Sequence, residues 1–557
     1  MEFEGNSSWG YNVSYFFAPD KYYGTKNDFK EFVQAAHEQG FAVIMDMVLN
    51  HAFGQNALVK MYWDENAGTV SAESPWFNQV ATHPFNVGFD FNHESEYTKA
   101  FVDSVNTYWL QEYHIDGYRF DLSKGFTQVN TGDDVGAWGQ YDASRIAILE
   151  RMANVIWQND QDAYVILEHF GETQEEDELA SSGMLLWRNL NHAYATALDG
   201  EGGNLSGGQN RKRVTYMESH DEERLAFVMG SEGISSGNYN IADQDVYLER
   251  AKMAAAFNLL QSGPKMIWQF GELGYDIPIN QNGRTGEKPL VWGSGSLAYY
   301  DDELRQYVYD AYAAILDLRN QYPEVIRAGS YTSSLSETVK SLSITHPTLD
   351  IYIVGNFGVD EVTTSITLPE TGDWFDYFSG EQTDFSVASF DFDLAPGEFH
   401  IFTSERVSEG FENVVEIYQN PVTVDPPVFT ANTEITITFD ATKASNAGTG
   451  GLVGASKVYL HAGVVMDDPS STTLTNVVGT LTDDGLGQMT QVDGQSNKWE
   501  ITLTPRDYFG LADGDDAFRL GMYFRDADNT NQAKGFRGRD VYVDILQEGN
   551  IVSVEPT

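Results

Sequence analysis

The chain has 557 residues, 41% of them apolar and 13% aromatic, enough for about three or four domains with sizeable cores and too rich in large apolar groups for a disordered chain. Lys and Arg total 33 against 83 Asp and Glu, a net charge of −50; such a surface repels nucleic acid and anionic membranes and is compatible with a neutral substrate. The absence of cysteine excludes disulfides, zinc thiolates and cysteine nucleophiles, and no run of about 18 apolar residues is present to span a membrane.

From residue 1 to about 325, short apolar runs alternate with longer helix-like segments. The amphipathic NDFKEFVQAAHEQG ends on Gly40, as a helix C-terminus should, and leads into the β-rich FAVIMDMVLNH (41–51). YTKAFVDSVNTYWLQEY leads into HIDGYRFD (114–121), and ASRIAILERMANVIWQ into AYVILEHF (163–170). GMLLWRNL (183–190), RVTYMESHD (213–221) and PKMIWQFGELG (264–274) continue the series. Apolar strands that follow helices imply parallel pairing with both faces covered, and recurrent βα units of this kind predict an α/β TIM-type barrel. Residues 326–408 are β-patterned throughout. The Pro-rich joint NPVTVDPPVF (420–429) falls within the next segment, 412–557, where ITITFDATK, KVYLHAGVV, KWEITLTP, FRLGMYFRD and VYVDIL read as sandwich strands. The outline is a barrel followed by two all-β sandwich domains.

Charged residues collect late in the barrel strands or just beyond them: Asp46 and His51, Arg119 and Asp121, Glu168 and His169, His220 and Asp221. An isolated Arg-x-Asp on one face of a strand also suits a structural ion pair, because a buried charge needs a partner. Four successive strand ends carrying carboxylates or imidazoles point instead to the catalytic mouth of a barrel. Asp121, Glu168 and Asp221 can converge there, and paired carboxylates facing a neutral substrate suit glycoside cleavage. Arg119 is expected to hold Asp121 ionised, and the apolar run before Glu168 to raise its pKa, as an acid/base requires.

These segments resemble a known family. DMVLNH (46–51), GYRFDLSKG (117–125), the glutamate of VILEHF and MESHDE (217–222) look like the four conserved regions of the α-amylase superfamily, glycoside hydrolase family 13. GYNVSYFFAPDKYYGT (10–25) is similar to the segment before that family's third strand, and FNVGFDFNHES (85–95) to the end of its small domain B. The resemblance implies a barrel over 1–325, with 52–95 as a short domain B insertion. It also implies a retaining mechanism on α-1,4-glucans such as starch, glycogen or maltodextrins. Asp121 matches the nucleophile, Glu168 the acid/base, and Asp221 the carboxylate that stabilises the transition state. Arg119 and Asp46 match residues that position the nucleophile, His51 and His220 imidazoles that hold the sugar, and Tyr11 the aromatic that stacks on it; Lys124 joins the substrate-binding set. The chemistry needs no cofactor, and the resemblance admits a structural Ca2+ with Asn50 as first ligand, although Asn is also a common turn residue. An extracellular, cell-surface or periplasmic bacterial setting is implied as well.

The chain departs from the pattern in three ways. Lys124-Gly125 stands where the family usually has Lys-His, a histidine whose backbone in many amylases helps bind calcium. Residues 52–95 are short for a domain B, and SHDE with the WGYN…FAPD segment resembles branching enzymes and debranching relatives, so an α-1,4-glucan branching-type transglycosidase remains an alternative, as does a non-catalytic glucan-binding protein. The family's first strand, first helix and most of its second strand have no counterpart. This predicts a barrel without its opening βαβ portion, an N-terminally truncated chain that folds poorly or is inactive, and no inference from the missing signal peptide. Residues 412–557 resemble accessory sandwiches of extracellular amylases. There Trp499 and Tyr508 are either a stacking platform for glucan rings or, for Trp499, a core residue of its strand. Asp526 and Asp528 read as turn carboxylates rather than metal ligands.

Overall fold

Each amphipathic run delivers the chain into a short apolar strand. In the computed structural model, which describes residues 1–411, 414–415, 417–446, 448–469 and 471–547, the helix Lys26–Glu38 opens with a reciprocal Thr25–Asp28 capping box and the chain turns at Gly40 (φ +82°) into the strand Ile44–Met47. The helix Glu96–Tyr113, capped by Ser95, buries Val102, Val105, Trp109 and Tyr113 and feeds Gly117–Phe120. Ala143–Asn159 feeds Tyr164–Leu167, and Thr173–Ser181 feeds Leu185–Asn189. The strand Arg213–Tyr216 follows, and the buried helix Gln244–Leu259 leads to Lys265–Met266.

These six strands lie side by side in chain order, all parallel, as the wall of a (β/α) barrel. Tyr118, Phe120, Val165, Leu167 and Leu186 point outward into the helix-backed core. On the other face Trp187, Val214 and Tyr216 pack with Ile166, Leu185 and Met266 in the barrel interior. Gly117 is required where the wall is tightest: at φ +149°, a Cβ there would meet the Tyr164 carbonyl oxygen at 2.3 Å. A closed barrel of this type has eight strands; among the described residues Ile44–Met47 and Lys265–Met266 each pair on one side only, so the wall is open between them. Between the first two wall strands, short antiparallel pairs, His51–Ala52 with Phe89–Asp90 and Trp63–Asp64 with Thr69–Val70, form the small insertion.

A six-stranded antiparallel sheet spans residues 330–403, with a further pair, Val362–Thr367 and Ser389–Leu394. Its Leu342, Ile344, Ile351, Ile353 and Ile401 share one core with Met253, Phe257 and Ile315 of the barrel helices. The fully buried Arg250 pins this contact, donating from Nε to the Leu198 carbonyl (2.7 Å) and from Nη2 to that of Phe357 (2.6 Å). Beyond residue 420, two sheets face each other across a shared core in which the Phe439 and Phe524 rings stack at 3.8 Å. Trp499 lies in that core at 4% exposure. Of the two readings, it is therefore a packing residue of its strand and not a stacking platform with Tyr508, because a buried indole offers no face to a sugar. Among the described residues, no helix is long and apolar enough to cross a membrane.

The sandwich meets the barrel through Arg539, which pairs with Asp243 (2.5 Å) and with the buried Asp245, and through the Tyr542 N–H, which donates to Asn238 Oδ1 (2.7 Å). Removing Arg539 would leave Asp245 buried without its cation. Arg539→Ala should weaken the joint by about 3 kcal/mol and split one calorimetric unfolding transition into two. A single transition at the unchanged temperature would show that the ion pairs do not hold the sandwich in place.

Candidate active site

The ladder sets the first contact. Asp46 and Arg119 are Cα partners on adjacent strands, so their side chains leave the same face, and Arg119 Nη1 donates to Asp46 Oδ1 at 2.6 Å. The same Nη1 donates to Asp121 Oδ1 at 3.0 Å, while Nη2 lies 3.0 Å from Glu168 Oε2. One buried guanidinium therefore bridges carboxylates from three neighbouring strand ends. Its plane lies over the Trp187 ring at 4.1 Å from the centroid, an arrangement that Arg, and not Lys, makes well.

Glu168 is held from behind. The Leu122 N–H donates to its Oε2 at 2.8 Å, and the Ser123 hydroxyl lies 2.9 Å from its carbonyl and 3.0 Å from His169 Nδ1. His169 Nε2 meets Glu175 (2.7 Å), which also takes Arg145 in a two-pronged contact. Ser123, His169 and Glu175 are all essentially inaccessible, so this chain supports Glu168 and has no access to a substrate. Asp221, on the loop after Arg213–Tyr216, closes the site from the other side. Ligand atoms of Glu168, His220 and Asp221 all lie within 4.8 Å of one another.

The three carboxylates have different electrostatic surroundings. His220 and Arg284 beside it hold Asp221 down, at about 2. Burial and the like charge of Glu168 push Asp121 up to about 7 against the pull of Arg119. This corrects the expectation that Arg119 keeps Asp121 firmly ionised: the guanidinium is shared three ways, and desolvation outweighs its share.

Tyr11 donates to Asp46 Oδ2 at 2.8 Å, and its ring lies 5.1 Å from that of His220. Seven of the residues expected from the sequence thus meet here: Tyr11, Asp46, Arg119, Asp121, Glu168, His220 and Asp221. His51 stands behind them, 1% exposed, its ring nitrogens turned to the Tyr11 carbonyl (2.8 Å) and Asn50 Oδ1. It positions the Tyr11 backbone and is closed to a sugar. Lys124 is also buried, its ammonium spent on the Phe170 carbonyl (2.8 Å) and the face of Trp138, so it does not reach substrate here. Asn50 does not fit a calcium ligand: its Oδ1 is turned to His51, and its amide nitrogen donates to the Asp121 carbonyl at 3.0 Å. Calcium needs six to eight oxygens, and this one is taken.

Sequence reasoning missed four residues. Trp9, Trp187 and Trp268 surround His220 at 5.4, 6.3 and 6.1 Å between ring centroids. Arg284 donates to the Asp221 carbonyl (2.7 Å) and Oδ1 (3.1 Å) from a loop after the last wall strand. The tryptophans at strand ends carried a readable signal; Arg284, on an irregular loop, carried none.

A family model described as "Alpha amylase, catalytic domain" matches residues 3–87. The N-terminal part of the chain is thus similar in sequence to the α-amylase catalytic domain. A 1,4-α-glucan branching enzyme of Picrophilus torridus is 28% identical over 162 residues, 28% of this chain and 22% of that protein. A malto-oligosyltrehalose trehalohydrolase of Saccharolobus solfataricus is 32% identical over 122 residues, 22% of this chain and 20% of that protein. The aligned parts thus span about a fifth of each of these curated relatives. Among solved structures, an Anoxybacillus α-amylase superposes with a TM-score of 0.55 at 18% identity, over 72% of this chain and 84% of its own, a likeness of fold. Residues 422–533 match a domain family of unknown function, DUF8578.

Among the described residues, Arg119 is the contact common to Asp46, Asp121 and Glu168. Arg119→Leu should cost about 3–5 kcal/mol of stability near neutral pH. The loss should shrink towards about pH 4, because Asp121, already raised and raised further without its cation, is relieved as it takes up a proton. Urea unfolding at both pH values measures it; an equal loss at both would assign the role of Arg119 to packing on Trp187.

Proposed function

We propose that the protein is a retaining glycoside hydrolase acting on α-1,4-glucans through a covalent glycosyl-enzyme intermediate. The observation that carries this reading is the convergence of three carboxylates from three strand ends, with Asp121 and Glu168 sharing the Arg119 guanidinium and Asp221 within 4.8 Å of Glu168. Asp121 attacks the anomeric carbon, Glu168 protonates the leaving oxygen and later deprotonates water, and Asp221, fully ionised, lies against the positive charge that develops on the ring. Tyr11, Trp9 and Trp268 supply flat apolar faces around the His220 imidazole, which suits the apolar face of a pyranose. The chemistry is carried by protein carboxylates and draws on no cofactor.

A second reading, an α-1,4-glucan branching-type transglycosidase, is favoured by one observation: the curated relative from P. torridus is named a branching enzyme. The two share formation of the glycosyl-enzyme and part at the acceptor, water or a sugar hydroxyl. Product analysis on amylose separates them, since new reducing ends mean hydrolysis and new α-1,6 branches mean transfer. The acidic, cysteine-free chain supports an extracytoplasmic setting.

Asp121→Asn should lower turnover by at least about 10³-fold while leaving maltooligosaccharide binding largely intact; retained turnover in that variant refutes the nucleophile. In the unsubstituted protein, attack requires ionised Asp121. With that carboxyl near 7, kcat/KM should fall about tenfold per pH unit on the acid side of about pH 7. An acid limb centred below about pH 5 would mean that Arg119 dominates the nucleophile's charge after all.

A further inference from the structure

The first β domain holds a cluster of charges that the proposed reaction does not use. On the strand Phe399–Thr403, His400 Nδ1 lies 2.8 Å from Asp376 Oδ2, and its Nε2 lies 2.8 Å from Glu398 Oε1. Both carboxylates are fixed from behind. Asp376 Oδ1 accepts from the N–H groups of Phe378 (3.1 Å) and Ser379 (2.8 Å), and Glu398 Oε2 accepts from that of Ala395 (2.7 Å). Uncharged groups close the other sides. The imidazole is stacked on Phe402, 5.2 Å between centroids and 10° between planes, and meets Phe392 edge-on at 5.4 Å. Val354 is its partner on the strand Ile351–Asn356. Among the described residues, Asp376, at the end of Gly372–Asp376, and Glu398, in the turn before the histidine's own strand, are thus the charged groups that face the ring.

A neutral imidazole has one N–H and one lone pair, so it can serve one carboxylate and must turn its lone pair on the other. Two carboxylates at hydrogen-bond distance therefore require both ring protons. Burial opposes that charge, yet the contacts with Asp376 and Glu398 outweigh it and push His400 up to about 9. The charge is also connected to the barrel. The turn that carries Glu398 places Gly397, at φ +74°, so close to the Tyr239 hydroxyl that no Cβ fits between them. Tyr239 is buried, and its hydroxyl accepts from Arg250 Nη1 at 3.2 Å. The Gly397 N–H donates to the Asn356 carbonyl (3.0 Å) and the Asn356 N–H to that of Glu398 (2.9 Å).

We propose that His400 is a standing imidazolium latch that holds the 395–398 turn closed on Tyr239 and so makes the joint between the first β domain and the barrel loosen in alkali. A group raised in the folded state stabilises fully below its ordinary value, about 6.5 for histidine, and loses that contribution as the pH rises through its folded value, here about 9. Once one ring proton is lost, a lone pair faces a carboxylate and the turn is held by its backbone bonds alone. The proposal is independent of the reaction, and its readouts are structural.

His400→Gln keeps a donor of similar reach and cannot carry the charge. Its thermal midpoint should lie below that of the unsubstituted protein at about pH 6.5, and the gap should shrink by about pH 10, where neither protein has the charge. A gap equal at both would overturn the role of the charge. Hydrogen exchange followed by mass spectrometry, with both proteins at one pH so that intrinsic rates cancel, reads the joint. Peptides covering 391–402 and 234–241 should exchange at least about tenfold faster in the variant at about pH 7 and alike at about pH 10. Faster exchange confined to 391–402 would overturn the link to the barrel. Should His400→Gln not fold, nitrogen NMR of the unsubstituted protein with isotopically labelled histidine decides. An imidazole that keeps both ring protons beyond about pH 8 supports the latch, and the absence of any such ring refutes it.

Discussion

The Arg119 guanidinium is the point on which the rest of the catalytic face depends. Asp46, Asp121 and Glu168 leave adjacent parallel strands on one face, and like charges so close in a partly desolvated place repel. A planar cation with several donors reconciles them, touching all three within 3.0 Å. It is itself held flat on Trp187 and lies 5.8 Å from the centre of the Tyr11 ring. The carboxylates owe their convergence to strand register, and the arginine makes that convergence tolerable. Because it is shared, it does not hold Asp121 fully ionised, and that carboxyl keeps a raised affinity for a proton.

Rigidity comes from behind the mouth. Ser123, His169, Glu175 and Arg145 form a dry chain of polar contacts that ties the loop after one strand to the loop after the next. It fixes the Glu168 backbone where a one-ångström drift would matter to catalysis. The opposite side is looser: the Asp46 side chain is 46% exposed, on a strand that among the described residues pairs on one side only. Asp221 is as exposed, yet its charge is secured by His220 and Arg284. Buried pairing and exposed double pairing thus serve the two halves of one site.

The same economy of buried charge recurs at each joint between parts of the chain. Arg250 holds the barrel to the first β domain through backbone carbonyls, Arg539 holds the terminal sandwich through two aspartates, and His83 faces Asp90 where the insertion meets the wall. At the first two a charge that would be costly to bury alone, Arg250 or Asp245, is met by directional contacts, so each of these joints has one geometry rather than many.

The βα alternation, the apolar strands and the sequence positions of Asp121, Glu168 and Asp221 could be read from the chain, because helix and strand periodicity are local properties and carboxylates at strand ends repeat four times. The resemblance of DMVLNH, GYRFDLSKG and MESHDE to one superfamily assigned their roles. Local pattern could not reveal what depends on contacts between distant segments. Trp499 was ambiguous until the two sheets closed over it. Lys124 and His51 matched a motif yet are buried, since exposure is set by what packs above. Arg284 reaches Asp221 across 63 residues from an irregular loop. Gly125 is intelligible only with His83, whose Nε2 a Cβ at position 125 would approach to 2.9 Å. The sequence by itself determined the wall strands and the chemical types at their ends, because those follow from periodicity and composition. The tertiary structure decided which charges share a partner and which side chains remain open, because both depend on distances that sequence separation does not encode.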